Sequence, residues 1–379
     1  MAEKPFIEKI YNLTQNPFAN WVDPNVEMAG RKKERRQWED IVRRRKGGHT
    51  NVMCFVYGDY GFGKTLTLNK IVEEYEKDSE ILPVFIKMLS EDRTPKFGVD
   101  FIHRIFQKVP EKVFKKFNLD HINLLAKYFP EPAKIFACIV LGGEGGLDFL
   151  YGQRTISAAE MQKFGIKHKI SSTDIAKKYL LCFLYLLGGI NRKSLLVAVD
   201  ETEYVFSQMS GAAIAQVFNT LRDLFDLHTS PALPSISDFP NQPANMIFFF
   251  GISTSGWKQI SDLGKREQSK SGPVQPLMRR LEKEIELQPL NKNETRDLIE
   301  KRLRKDRTTG SPSEKPLIPY DETFVSYIFD KSLGNPSEIV KFCDFALEDG
   351  LTEKVKILDA VFAKKVFADR GLIFDEDSA

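Results

Sequence analysis

One stretch constrains this chain more than any other. Residues 51–58, NVMCFVYG, are an unbroken run of apolar, β-forming residues that ends in glycine. DYGFGK follows, and then TLTLNKIVEEYEK, whose apolar residues recur at helical spacing. The first run reads as a strand buried on both faces, as in a parallel sheet. Gly58, Asp59, Tyr60, Gly61, Phe62, Gly63, Lys64 and Thr65 satisfy the pattern GxxxxGK followed by Ser or Thr, in the strand–loop–helix setting it requires. Glycines let backbone N–H groups wrap a phosphate, and the helix beginning near Leu66 presents its positive end to it. Lys64 has the reach for β- and γ-phosphates, and the Thr65 hydroxyl is a ligand for Mg2+. The expected ligands of 58–66 are therefore the phosphates of a nucleotide and Mg2+. The competing reading, a glycine-rich turn that binds nothing, leaves the flanking strand and helix unexplained.

Three further segments fit the same chemistry. LLVAVDETE, 195–203, is an apolar strand ending in Asp200 and Glu201. Asp200 can hold Mg2+ through water, and Glu201 is the natural general base for an attacking water. Alone, such a pair would as readily be a solvated strand end; downstream of a phosphate loop the catalytic reading gains. Glu203 is either a further acid of this group or the start of the next helix. MIFFFGIST, 246–254, brings Ser253 and Thr254 to the end of another buried strand. A hydroxyl there can hold the attacking water or a γ-phosphate oxygen, capping of the next turn being the plainer role. Leu277-Met278-Arg279-Arg280-Leu281 carries paired arginines able to reach a γ-phosphate across a subunit interface, against the alternative of a surface salt-bridge pair.

Strands at 51–58, 82–90, 194–201 and 246–254 alternate with helices at 97–109, 174–189 and 211–227. This predicts an α/β fold: a P-loop NTPase parallel sheet flanked by helices, followed by a small all-α lid. The expected division is an arm at 1–30, the nucleotide-binding domain at 31–290, a helical lid at 291–370 and an acidic tail at 371–379. The lid helices are expected at 293–305, 321–332, 336–348 and 355–369. Residues 110–172 read as an irregular insertion with a short helix near 120–129, and 262–276 as a polar surface loop.

Composition narrows the classes. At 42% apolar and 28% charged residues, 379 residues build a sizeable core and are not a disordered chain or a disulfide scaffold. Fifty-five Lys and Arg against 52 Asp and Glu leave a net charge of +3, so any nucleic-acid surface must be local. The candidate is the helix RKKERRQWEDIVRRRK, 31–46, with nine basic residues and an apolar stripe of Trp38, Ile41 and Val42. A solvated face paired with neighbouring acids is its plain alternative. Cys54, Cys138, Cys182 and Cys343 form no CxxC and no zinc spacing, and read as reduced core thiols of a cytoplasmic protein. The longest apolar runs, 135–141 and 179–187, fall short of the ~20 residues of a membrane span, so no membrane is expected.

Taken in order, the two nucleotide-type motifs, the hydroxyl-ended strand, the arginine-bearing helix and the all-α segment resemble the AAA+ ATPases. The likeness is to the branch holding archaeal origin-recognition initiators and TnsC-type transposition ATPases. NPFANWVDPNVEMAGRKKERRQWEDI resembles that branch's entry segment, with Gly30, Arg31 and Glu34 in its Gly-Arg-x-x-Glu turn, and SLGNPSEIVKFCDFAL resembles its sensor-two helix. Within about 150–290, YGQRTISAAEMQKFGI, LLVAVDETEYVF, FNTLRDLFDL, FFFGISTSGW and PLMRRLEKEIELQPL resemble the ATP-binding proteins of BREX-type phage-defence systems. The resemblance implies ATP hydrolysis in a homo-oligomer. Lys64 and Thr65 take the Walker A roles, and Asp200 and Glu201 the Walker B roles. Ser253 or Thr254 is sensor one, and Arg279 or Arg280 an arginine finger acting in trans. Two departures stand out. Ser337 follows Gly-Asn-Pro where the family has arginine, with Lys341 one turn on, which puts lid closure and fast turnover in doubt. The winged helix that initiators carry beyond the lid has no counterpart, which favours a TnsC-like or defence-associated protein over a replication initiator.

Two functions follow as expectations. The first is a motor or switch ATPase assembled on double-stranded DNA, with 31–46 and Lys265, Arg266 and Lys270 supplying salt-sensitive phosphate contacts. The second is a slow-turnover regulatory module that controls a protein partner through 110–172 and the lid, without DNA. The intact Asp200-Glu201 pair favours the first, and Ser337 the second.

Overall fold

The computed structural model describes residues 6–20, 26–88, 96–152, 157–203, 211–230, 236–266, 274–308 and 316–372. Strands β1 (Val52–Gly58), β2 (Ile81–Lys87), β3 (Ser194–Asp200), β4 (Asn245–Ser253) and β5 (Ile285–Glu286) form one parallel sheet, in the order β2-β3-β4-β1-β5. The register of β2 on β3 runs from Ile81 opposite Ser194 to Lys87 opposite Asp200. β3 meets β4 from Ser194 opposite Asn245 to Val199 opposite Phe250. Both β3 and β4 have a strand on each side, and all seven residues of β3 are buried. That placement explains why their sequences are apolar throughout rather than alternating. The strands expected at 51–58, 194–201 and 246–254 are all present within a residue or so. β5 was not legible, because two residues paired at Val56–Ile285 and Tyr57–Glu286 carry no periodicity.

The chain divides into two compact units. The sheet unit is Arg36–Tyr57 with Leu68–Glu286, and the helical unit is Met1–Arg35, Gly58–Thr67 and Leu287–Ala379. In the sheet unit, α4 (Phe97–Lys108) and α10 (Thr173–Gly189) bear the large apolar faces that their sequences predict. Residues 110–172 depart from the irregular reading. They hold α5 (Glu111–Phe114), α6 (Leu119–Leu125), α7 (Pro130–Val140), α8 (Gly146–Tyr151) and α9 (Ala158–Lys163). Phe114, Phe117 and Phe136 from this stretch gather around Phe183 of α10 with ring centroids 5.5, 5.8 and 6.2 Å away, and Phe106 of α4 joins them at 5.4 Å. Apart from α7 these helices are of seven residues or fewer, too short to show a period, so the stretch looked irregular in sequence although Phe114, Phe117 and Phe136 complete one aromatic core.

Helix α2 spans Lys32–Arg45. Trp38, Ile41 and Val42 are buried as the stripe predicted, and the Trp38 indole donates to Glu74 at 3.2 Å. Much of its basic C-terminal half is paired. Asp40 takes Arg43 at 2.6 Å and Arg44 at 2.9 Å, Glu282 takes Arg45, and Glu80 takes Lys46 at 2.7 Å. The hydrogen-bonded ammonium of Lys193, and after it that of Lys46, pull the Glu80 pKa down to about 2. The polar stretch 262–276 is helical at both ends, since α11 (Gly211–Phe225) and β4 are followed by α12 (Thr254–Arg266) and α13 (Val274–Met278). Lys270 lies outside the described residues.

The helical unit contains α1 (Phe6–Tyr11), α14 (Lys292–Lys305), α15 (Glu322–Ser332), α16 (Pro336–Glu353) and α17 (Ala360–Asp369). Asn291, Asp321, Asn335 and Asp359 cap the last four in turn, each with a side-chain oxygen on a backbone N–H of the first turn. The segment read as an arm is built into this core. Tyr11, Leu13 and Phe18 are fully buried, and Arg302 donates to the carbonyls of Pro17 and Asn20. Among the described residues no helix is long and apolar enough to cross a membrane. The four cysteines are unbridged, with Cys54, Cys182 and Cys343 buried.

If 110–172 is part of the core, Phe136→Ala must weaken the sheet unit as a whole. Loss of a buried phenyl ring costs about 3–5 kcal/mol, and urea unfolding followed by tryptophan fluorescence should shift by that amount. A change under about 1 kcal/mol would mean that α7 is peripheral.

Candidate functional site

The run Gly58–Thr65 joins the end of β1 to the start of α3 (Lys64–Tyr75). Gly61 and Gly63 both have φ of +84°, a left-handed conformation that a side chain resists. At Gly63 the backbone alone makes the demand, because a Cβ would meet nothing within 4 Å. At Gly61 a Cβ would also lie 2.5 Å from Asn335 Oδ1 and 2.8 Å from Ser337 Cβ. Left-handed residues alternating with ordinary ones turn successive N–H groups into a concave anion-binding nest. Phe62 N–H closes a turn on Asp59 O at 3.2 Å. The Lys64 ammonium donates to the carbonyls of Gly58 and Asp59 at 3.1 and 3.2 Å. Tyr60 is exposed, and Thr65 and Leu66 are half-buried in the first turn of α3.

Three groups of the helical unit donate to this loop. Arg31 Nη2 reaches Phe62 O at 2.9 Å, Asn335 Nδ2 reaches Tyr60 O at 3.0 Å, and Ser337 N–H reaches Gly61 O at 3.3 Å. Arg31 is buried, and its other terminal nitrogen binds Gln288 O and Glu34 Oε1. Desolvation lowers the Arg31 pKa, while Glu34 works to raise it. Gly30 and Arg31 both have positive φ, at 62° and 60°, so the Gly-Arg-x-x-Glu turn is a bend that aims the guanidinium at the loop.

In the sheet unit, Asp200 ends β3 and is 2% exposed. Its backbone carbonyl accepts from Met88 N at 3.0 Å, which fixes the strand end. On β4, Gly251 makes room for the carboxylate, since a Cβ there would lie 3.1 Å from Asp200 Oδ1 and 2.7 Å from a Leu68 methyl. The chain then turns sharply. Glu201 takes φ of +55°, and Thr202 returns to Gly251 O through its hydroxyl at 2.6 Å and its N–H at 3.2 Å. The turn leaves Glu201 Oε1 2.9 Å from the Lys87 ammonium at the end of β2. Lys87 and Gly251 are residues that sequence reasoning missed. The only signal for Lys87 is a cation ending an apolar strand, which has meaning once Lys87 is known to lie opposite Asp200.

The remaining candidates take more local places. Ser253 Oγ accepts from Gly256 N at 3.2 Å, so this hydroxyl caps α12, with Thr254 half-buried beside it. Arg280 pairs with Asp226 of its own chain at 3.1 Å and lies over the Phe225 ring at 5.7 Å. Arg279 is the exposed member of the pair.

No protein-family model matches the chain, and no curated protein matches it. Solved structures do. The ORC2 protein of Aeropyrum pernix, solved as ADPNP–ADP complexes, matches with a TM-score of 0.53 at 14% identity, over 94% of this chain and 71% of that one. Cdc6p of Pyrobaculum aerophilum gives 0.48 at 12% identity over 94% and 71%. The Thermotoga maritima RuvB Holliday junction branch migration motor gives 0.40 at 10% identity over 92% and 74%. At this identity the likeness to ORC2 establishes the fold alone, which is the α/β P-loop NTPase fold that the sequence predicts.

The left-handed turn at Glu201 yields a stability test independent of any ligand. Glu201→Gly and Glu201→Ala both remove the Lys87 pair, but only glycine relieves the backbone. The glycine variant should be the more stable by about 1 kcal/mol in urea unfolding. Equal stabilities would mean that the residue does not hold a left-handed conformation.

Proposed function

We propose that this chain binds ATP with Mg2+ through 58–66 and hydrolyses it with Glu201 as general base. The observation that carries the reading is the backbone of the Gly58–Thr65 loop, with left-handed Gly61 and Gly63 ahead of a helix N-terminus. A loop so bent presents N–H groups and the helix dipole to an anion. A second support is that β3 and β4 run parallel, so the acid pair and Ser253 follow strand ends on one edge of the sheet. Ligands of open α/β sheets bind at that edge. The nucleotides bound to the ORC2 structure are in keeping with it.

The residues suited to Mg2+ are Thr65 and Asp200. Among the described residues no three of His, Cys, Asp and Glu gather into a cage. A hydroxyl and one carboxylate are a sparse donor set, and they suit Mg2+, which keeps waters and takes phosphate oxygens. When bound, the ion would neutralise charge developing on the phosphates. Glu201 would accept the proton of the attacking water, with Lys87 steadying its carboxylate. Lys64 would exchange its two loop carbonyls for phosphate oxygens. Thr254 is the freer of the two sensor hydroxyls, and Arg279 is the more exposed of the two arginines for a neighbouring subunit's phosphate.

The wider role proposed is that of an oligomeric, cytoplasmic AAA+ motor or switch acting on DNA or a DNA-bound complex, in defence, mobile-element or replication biology. Exposed Lys32, Lys33 and Arg36 on α2 support a local DNA contact, narrower than the whole of 31–46 because the later arginines are paired. The alternative is a slow-turnover module that controls a protein partner. It is favoured by Ser337, which brings no cation to the loop and gives its N–H to Gly61 O.

Glu201→Gln should keep ATP affinity within about threefold while turnover falls on the order of 10²–10⁴-fold, the range for a lost general base. Turnover at the parental rate would remove Glu201 from the role. Lys64→Ala should abolish ATP binding in equilibrium titration at an unchanged melting temperature; unaltered affinity would remove the phosphate-loop assignment.

A further inference from the structure

The phosphate loop is gripped from its carbonyl side. A trans peptide is planar, so drawing a carbonyl one way turns the next residue's N–H the other way. Asn335 Nδ2 holds Tyr60 O at 3.0 Å, which turns the Gly61 N–H away from α16. Arg31 Nη2 holds Phe62 O at 2.9 Å, which turns the Gly63 N–H away from Arg31. Between them, Ser337 N–H holds Gly61 O at 3.3 Å. Three successive carbonyls are thus drawn outward by donors fixed in the helical unit. The donors are themselves well held. Asn335 caps α16, its Oδ1 accepting from Ser337 N at 3.0 Å, and Arg31 is buried with Glu34 and Gln288 O on its other nitrogen.

We infer that Arg31 and Asn335 are positioning residues for phosphate binding, which fix the orientation of the Gly61 and Gly63 N–H groups by pinning the carbonyls that precede them. This rests on the nucleotide-binding reading of the same loop. It also gives Ser337 a part: the start of α16 meets the loop through a backbone N–H, with no cation offered to phosphate. Unpinned, each peptide plane is free to rotate, and a loop that must order on binding pays for that ordering in affinity.

The test is equilibrium titration with ATP labelled on the ribose, competed by unlabelled ATP, ADP and inorganic tripolyphosphate. Two variants separate the grip from the fold. Asn335→Ser remains a good helix cap but is too short to reach Tyr60 O. Arg31→Lys keeps the charge but loses the fork that reaches Phe62 O and Gln288 O together. Each should weaken ATP, ADP and tripolyphosphate alike, by about tenfold or more, with the ligand-free melting temperature of Asn335→Ser within about 2 °C of the parent. Equal losses for tripolyphosphate and ATP place the defect in phosphate holding, which a general structural role would not single out. If Asn335→Ser binds all three within twofold of the parent, the inference is overturned whatever Arg31→Lys does. If the parent itself binds no nucleotide, the nucleotide reading fails and takes the inference with it.

Discussion

Everything proposed for this protein depends on the shape of eight residues of backbone, and that shape is held by hydrogen bonds to carbonyls. The Gly58–Thr65 loop has few side chains with which to fix itself: Gly61 and Gly63 have none, and Tyr60 is exposed. Glycine makes the left-handed turns possible without making them obligatory, because it is equally at ease elsewhere. Phe62 N–H on Asp59 O and the Lys64 ammonium on the Gly58 and Asp59 carbonyls make only part of the selection among backbone states. Arg31, Asn335 and Ser337 supply the part that comes from outside the loop, on the carbonyls of Phe62, Tyr60 and Gly61.

The acid pair is held by a different balance. Asp200 ends a fully buried strand, and Gly251 gives up its side chain to leave space for the carboxylate. Glu201 sits in a left-handed conformation that costs of order 1 kcal/mol. Its ion pair with Lys87 is too exposed to repay more than a fraction of that. The hydrogen bonds of Thr202 to Gly251 O enforce the turn instead. Strain at a position that would hold a general base is consistent with a site selected for geometry at some expense of stability.

Legibility from the sequence followed periodicity. Long buried strands, the Gly-rich loop and the lid helices could be read because each repeats one physical demand over many residues. β5 could not, since two residues carry no period, and neither could the role of Phe114 in α5 and Phe136 in α7, which makes sense only around Phe183. The arm was misread for a related reason: Tyr11, Leu13 and Phe18 are separated by turns, and only distant partners such as Tyr320 beside Phe18 and the Val355 carbonyl that takes the Tyr11 hydroxyl reveal them as core. In the candidate site, Lys64, Asp200 and Glu201 were visible because motif spacing names them. Lys87, Gly251 and Asn335 were not, because each acts across the sheet or across the chain. Ser337 was noticed as a missing arginine, whereas the contact it makes runs through its backbone, which no side-chain pattern records.

The most direct test of the central claim is amide hydrogen exchange across the loop. The chain would be compared alone, with ATP and Mg2+, and with inorganic tripolyphosphate. The account predicts that peptides covering 58–67 gain protection with both ligands, because the same backbone N–H groups bind phosphate in each case. Protection confined to other segments, or none in 58–67 at saturating ligand, would contradict it.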